Sequence, residues 1–501
     1  MPRRLGKGSL VSLAIRPVGG GSLARQLYGS LRTAILEGRL GPGERLPASR
    51  VLAGDLGVSR NTALAAIDQL VSEGYLETRR GSGCYVAASL PDVRPSRPRR
   101  VDAADALPRK PMPVRLSARG RALAAIRDSN PRGGGKWFPC FLPGITDCSE
   151  FPFALWARLL ARSWRRPDNG LVFNGDPAGH PDLRAAIADY LRQARGLNCD
   201  AGQVLVLSGI RQAVDLTCRL LLDPGDSVWL ENPCYPGVRA AIAAAAVQLV
   251  HVPVDDEGVM VETGIRRAPK ARLACVAPSH QYPLGAVLSL QRRLQLLAWA
   301  REAKASILED DYDSEFRYQG RPLAPLQSLD ADGRVIYVGS LSKIMFPALR
   351  VAYLVVPQPL VEPFRRARAA VDEHPPATAQ PALAAFFAEG HLGAYVRRQR
   401  KCYAERQERL LELAARHLDG LLTVAPDPAG LHLVARPVGP LARQSDTLVS
   451  GKLAEAGIVA PALSGYYVEP GSGNGLLLGY AALPDRIMEP AVKRMAEVLA
   501  A

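Results

Sequence analysis

The stretch GSLSKIMFPALRVAY, residues 339–353, places one lysine, Lys343, among small and apolar neighbours, with Arg350 following in the same stretch. A protonated amine is a poor nucleophile. A dry site near other cations depresses its pKa and frees it to condense with an aldehyde. Pyridoxal phosphate is the aldehyde cofactor that most needs such a lysine, and its other groups need partners as well. The pyridine nitrogen calls for a carboxylate, and the phosphate for an arginine, hydroxyls and helix N-terminal amides. The ring calls for an aromatic face, and its oxygen O3′ for hydrogen-bond donors.

The chain offers a candidate for each. SILEDDYDSEF puts Asp310 and Asp311 at the end of an apolar, strand-like run, the place where open α/β sheets bind ligands. GSLSK supplies Ser340 and Ser342. VLVLSGIRQAVDL reads as strand, Ser208-Gly209 turn and helix, an anion-binding arrangement. ENPCYPG supplies Tyr235 and PSHQYPLG supplies Gln281. Each alone has an ordinary explanation: a snorkelling lysine, a solvated acidic turn, a core tyrosine. Their common order, each after a strand, argues for a site.

The elements that must position them follow from periodicity. From about residue 137, apolar runs alternate with helical stretches (QVLVLSG then QAVDLTCRLLL; SVWLENP then GVRAAIAAAA; RLACVAP then LQRRLQLLAWAREA), followed by SILEDDY and RVIYVGS. Such alternation predicts an α/β fold with a mostly parallel sheet covered by helices. From about 360 to 501, long helical patterns, short strands and a final helix predict a smaller α+β subdomain.

Residues 23–87 have a different logic. A helix over Leu27 to Leu36, the turn GPGERLP, a short helix in SRVLAGDLG, and a third helix capped by Ser59 and stopped by Gly74 make a helix-turn-helix. YLETR and CYVA around RGSG make a wing. A recognition helix reads DNA through its first residues, here Ser59, Arg60, Asn61 and Thr62. Ala63 and Ala65 are expected to pack at its back. Residues 88–136, rich in Pro, Arg, Ala and Gly, read as a linker with one helix around RLSARGRALAAI.

The net charge of +15 lies almost wholly in this first quarter: +4 in residues 1–22, +2 in 23–87 and +8 in 88–136. That distribution suits a polyanion such as double-stranded DNA. At 501 residues the chain is long enough for several domains, and 48% hydrophobic with 22% charged residues fits a soluble globular protein. No apolar run reaches the roughly 20 residues of a membrane helix, and no signal-peptide pattern opens the chain. The eight cysteines form no CxxC pair, as expected of reduced thiols in the cytoplasm.

LPASRVLAGDLGVSRNT and EGYLETRRGSGCYVA resemble the GntR family of winged helix regulators. The resemblance implies DNA contacts at Arg50, Ser59, Arg60, Asn61, Thr62 and Gly81. The order of motifs after residue 137 resembles the fold-type I aminotransferases, and the whole chain resembles MocR/GabR-type regulators. That resemblance implies that Lys343 forms the internal aldimine, that Asp310 pairs with the pyridine nitrogen, and that Tyr312 lies near O3′. It implies Tyr235 on the ring, and Arg350, Ser340, Ser342 and the amides of Gly209, Ile210 and Arg211 on the phosphate. It also implies a homodimer with exchanged winged helices.

Three departures stand out. Gln281 lies where an Asn is usual. Ile210 and Arg211 follow Gly209 where a hydroxyl residue and Gln are common. Leu477, in GLLLGYAAL, occupies the place of the arginine that binds a substrate carboxylate. A leucine has no charge to offer a carboxylate. The expectation is therefore a cytoplasmic regulator that senses an amine, an amino acid or pyridoxal phosphate itself. At most a transaminase half-reaction is expected of it; the alternatives are a working aminotransferase with an autoregulatory arm and a large domain that only dimerises.

Overall fold

The computed structural model describes residues 22–79, 82–91, 114–125, 141–320, 323–469 and 472–501. They fall into two compact units, divided between Val114 and Arg115.

In the first unit, α1 spans Leu23–Leu36, α2 Ser49–Leu56 and α3 Arg60–Ser72. The first helix begins a turn before the expected Leu27 because the Ser22 side chain caps it. Gly57, with φ +66°, ends α2 in the left-handed region that glycine adopts without strain. The wing strands β1 (Leu76–Arg79) and β2 (Gly83–Val86) pair antiparallel, Leu76 opposite Val86. Leu31, Leu40, Leu52, Ala63 and Leu70 form a fully buried core. Ala63 packs there as expected, but Ala65 is exposed. Two residues along a helix turn about 200°, so one side chain of that pair faces inward and the other outward.

The second unit is built on an eight-stranded sheet. Its strands are β3 (Val204–Leu207), β4 (Ser227–Asn232), β5 (Gln248–Asp255), β6 (Gly258–Val259), β7 (Leu273–Val276), β8 (Ser306–Asp311), β9 (Val335–Ser340) and β10 (Ala352–Val355). The order is β3-β10-β9-β8-β7-β4-β5-β6. Strands β5, β4, β7, β8 and β9 run parallel. β10 is antiparallel to both β9 and β3. Residues of β3, β9 and β10 alternate between two layers. Val204, Val206, Tyr337, Tyr353 and Val355 join one core, which includes helix Pro181–Arg195. Leu205, Leu207, Ile336, Val338 and Leu354 join another, with helix Ile210–Leu221. Burial on both faces explains their unbroken apolar runs.

This topology gathers the site. The ends of β4, β7, β8 and β9 lie on one edge of the sheet because those strands are parallel. β3 is parallel to β9 through β10, so its end arrives there too. β10 runs the other way and brings the residues just before its start, Arg350 and Val351, to the same edge.

The C-terminal subdomain holds a three-stranded antiparallel sheet, β11 (Leu422–Val424), β12 (His432–Pro437) and β13 (Leu476–Gly479), backed by helices His391–His417 and Asp485–Ala500. Within the stretch read as a linker, helix Ala118–Ala125 packs against helix Pro236–Ala243, whose N-cap is Tyr235. No helix among the described residues is long and apolar enough to cross a membrane.

Candidate functional site

At the start of α3, the Ser59 hydroxyl accepts from the Thr62 N–H at 3.1 Å and lies 2.8 Å from the Thr62 hydroxyl. The two hydroxyls expected at DNA thus also build the helix N-terminus. Arg50, Arg60 and Asn61 are exposed, and their side chains make no hydrogen bond or ion pair among the described residues. Gly81 lies outside the described residues.

At the sheet edge, Lys343 lies in the short helix Leu341–Ile344, directly after β9. Its ammonium donates to the Gly144 carbonyl at 2.6 Å. Burial lowers its pKa, opposed by the charges of Asp313 and Asp310 and assisted by Arg350. Asp310, at the end of β8, has its carboxyl pushed up to about 7, chiefly by burial and then by Asp311 and Asp313, with Lys343 pulling down. Its carboxylate meets no hydrogen-bond donor among the described residues. Asp311, its sequence neighbour, points the other way: Arg195 and the Tyr337 hydroxyl hold it at 2.7 and 2.6 Å. The side-chain alternation of a strand thus separates a free carboxylate from a structural one.

Gly209, with φ +153°, precedes helix Ile210–Leu221. A Cβ placed on it would lie 3.0 Å from Arg350 Nη2, so the guanidinium rests over the helix start, where the dipole and free amides favour an anion. The Ser208 hydroxyl and amide both donate to Gln212 Oε1, at 2.9 and 2.8 Å. The Ser342 hydroxyl accepts from the Val351 N–H at 3.0 Å, and Ser340 makes no side-chain cap bond. Arg211 and Tyr235 meet over Gly237, where a Cβ would lie 2.7 Å from Arg211 Nε and 2.4 Å from Tyr235 Cε1.

Gln281 is held within the protein. Its amide nitrogen donates to the Pro233 and Tyr282 carbonyls at 2.7 and 2.8 Å and lies 3.3 Å from Glu231. With two hydrogens and these acceptors, it braces the Tyr235 turn and has no hydrogen left for a ring oxygen. Tyr282, unremarked in the sequence, links the aromatic groups: its ring stands edge-on to Tyr235 at 5.9 Å and to Tyr312 at 5.8 Å. Gly144 and His280 were equally silent, since a carbonyl acceptor and a loop histidine have no spacing signature. Leu477 is fully buried on the face of β13 opposite Leu476 and Leu478, against Leu463 and Tyr466 with Tyr282 beside them.

The residues present fit pyridoxal phosphate. A carboxylate held near neutrality without a donor suits a pyridinium N–H, a lysine of lowered pKa suits an aldehyde, and Arg350 over Gly209 suits a phosphate.

The comparisons agree. The model for bacterial regulatory proteins of the gntR family matches residues 23–86, and that for aminotransferase class I and II matches 160–495. The probable rhizopine catabolism regulatory protein MocR of Rhizobium meliloti is 40% identical over 475 residues, covering 94% of this chain and 92% of that one. The chain belongs to the MocR-type regulators of the GntR family.

This MocR-type regulator is thus a DNA-binding transcription regulator that uses pyridoxal phosphate. The HTH-type pyridoxine biosynthesis transcriptional regulator PdxR of Corynebacterium glutamicum is 32% identical to it over 474 residues, covering 94% of each chain. An archaeal alanine:glyoxylate aminotransferase, 23% identical with a TM-score of 0.69, covers 77% of the regulator and 98% of itself, which shows the fold of the second unit.

Proposed function

We propose that this regulator is a switch in which the group held at Lys343 sets how the winged helices grip operator DNA. The observation that carries the reading is Lys343 itself: a lysine of depressed pKa beside a donor-free Asp310, in a chain whose first unit presents Arg60 and Asn61 to solvent. Pyridoxal phosphate supplies an aldehyde that exchanges one amine for another. In this reading Lys343 holds the cofactor and Asp310 receives the pyridine N–H. Tyr235 covers the ring, and Tyr312 donates to O3′. Arg350, Ser340 and the amides of Gly209, Ile210 and Arg211 take the phosphate. Ser208, bonded to Gln212, and Ser342, bonded to Val351, hold the turns that present them.

The effector is an amine or amino acid, or the cofactor itself. Leu477 favours a molecule without a carboxylate, because an unpaired carboxylate against Leu463 and Tyr466 is costly. The names of two relatives refer to rhizopine catabolism and pyridoxine biosynthesis, which fits control of a small-molecule gene set. We read the working form as a cytoplasmic homodimer with exchanged winged helices.

The test is to titrate the purified protein with pyridoxal phosphate, with amines, and with amino acids. Cofactor absorbance and binding to the DNA upstream of its own gene are followed together. An amine without a carboxylate is expected to change both. Operator affinity that stays constant across the whole panel would sink the switch, and sustained amino transfer to a keto acid would favour an aminotransferase with a DNA-binding arm.

A further inference from the structure

His280 lies buried in the loop after β7, beside Gln281. Its Nδ1 is 2.9 Å from Asp313 Oδ2 and 3.1 Å from the Tyr312 hydroxyl, and its Nε2 is 3.2 Å from Asp427 Oδ2. Ionised carboxylate oxygens only accept, so both ring nitrogens carry hydrogen and the ring is an imidazolium. Burial works against that charge, but Asp313 and Asp427 outweigh it and push the pKa up to about 10.

The backbone is shaped around this ring. A Cβ on Gly430 would lie 2.3 Å from His280 Cε1, and one on Gly285 would lie 2.1 Å from Asp427 Oδ2. Three segments converge here: the loop 280–285, the segment 312–318 after β8, and the segment 427–430 between β11 and β12 of the C-terminal subdomain. The last two are also sewn together directly. Tyr318 N–H donates to the Pro428 carbonyl at 2.8 Å and Gly430 N–H to the Phe316 carbonyl at 3.0 Å.

The consequence falls on Tyr312. Facing an imidazolium Nδ1–H, its hydroxyl accepts, and its own hydrogen is left for another acceptor. Facing a neutral ring with a bare Nδ1, it would donate to His280 instead. Among the described residues the hydroxyl has no other hydrogen-bond partner. We propose that His280 is a positioning residue: clamped between Asp313 and Asp427, it makes Tyr312 a donor toward the cofactor's ring oxygen and ties that orientation to the seating of the C-terminal subdomain. This rests on the cofactor site proposed above.

The experiment uses the full-length protein loaded with pyridoxal phosphate and follows the absorbance of the lysine-linked cofactor against pH. A ring oxygen that loses a donor becomes more basic, so the titration midpoint rises. Tyr312→Phe is expected to raise it by about one unit. His280→Gln, which reaches Asp427 but carries nothing at the Nδ1 position, is expected to raise it by roughly half a unit, and Asp427→Asn by a smaller amount in the same direction. Asp427 is at the rim of the cluster, so its variant serves where His280→Gln fails to fold. If Tyr312→Phe moves the midpoint and neither other variant does, His280 is only structural and the proposal falls. It falls equally if Tyr312→Phe leaves the midpoint in place. A shift in His280→Gln without one in Asp427→Asn removes the tie to the C-terminal subdomain. A wild-type protein that takes up no cofactor, or a Lys343→Ala variant that keeps the band, is a different failure: it overturns the site reading underneath.

Discussion

The start of α3 and the sheet edge around Lys343 both present charged and polar groups toward a ligand, under opposite conditions. Arg60 and Asn61 stand in water, which solvates them fully, so presenting them costs the fold little. Lys343 and Asp310 are partly withdrawn from water, and both are driven toward neutrality, the lysine downward and the carboxyl up to about 7. Groups held this way destabilise the folded state until a ligand compensates them. The DNA-facing end is therefore ready without strain, whereas the cofactor-facing end is built at the expense of stability and regains it on binding.

The largest break of this comparison is Lys343→Ala. It should abolish the lysine-linked cofactor band completely, read by absorbance, while the winged helix keeps affinity for operator DNA. A band that survives would mean that another amine carries the cofactor. Next comes Asp310→Asn. The folded-state pKa of Asp310 is raised, so the native protein binds its proton at higher pH than the unfolded chain, and stability falls as pH rises from 3.8 toward about 7. Asparagine removes that loss. Without cofactor, the variant should be more stable than its parent at pH 8 by about 1–3 kcal/mol and gain nothing near pH 4, while its affinity for pyridoxal phosphate drops. Melting curves at the two pH values decide it; a variant weaker than its parent at pH 8 would show that Asp310 is not strained.

The two ends also differ in how far they can be read without a structure. The α3 start is four consecutive residues, and a cap, a helix period and a glycine stop are all local signals. The sheet edge draws on Gly209, Asp310, Lys343 and Arg350, which only the strand order brings together. Their types were legible because each chemical need has few suppliers. Partnership was not. Nothing in PSHQYPLG tells that the Gln281 amide is consumed by Pro233 and Tyr282, or that His280 lies against Asp427 from a distant subdomain. Ala65 was misplaced for a simpler reason, because a helix separates positions two apart onto opposite faces.

Arg60→Ala probes the solvated end. Its guanidinium has no role in the core, so stability should hold, and operator binding should weaken by about 1–3 kcal/mol if it reads a base edge. Competition between operator and unrelated DNA, at fixed salt, separates base reading from charge. An equal loss on both would make Arg60 a phosphate contact and leave sequence reading to Asn61.

Ser59 tests whether the two conditions are as separate as they look, since its hydroxyl both caps α3 and is available to DNA. Ser59→Ala should lower stability by about 0.5–2 kcal/mol through the lost bond to the Thr62 N–H, whereas Ser59→Gly should lose only a few tenths, because glycine is tolerated at the cap. Both variants lack the hydroxyl. If operator affinity falls equally in the two, the hydroxyl meets DNA directly. If it falls only in the alanine variant, Ser59 acts by ordering the helix, and the end that faces DNA also depends on an internal partner.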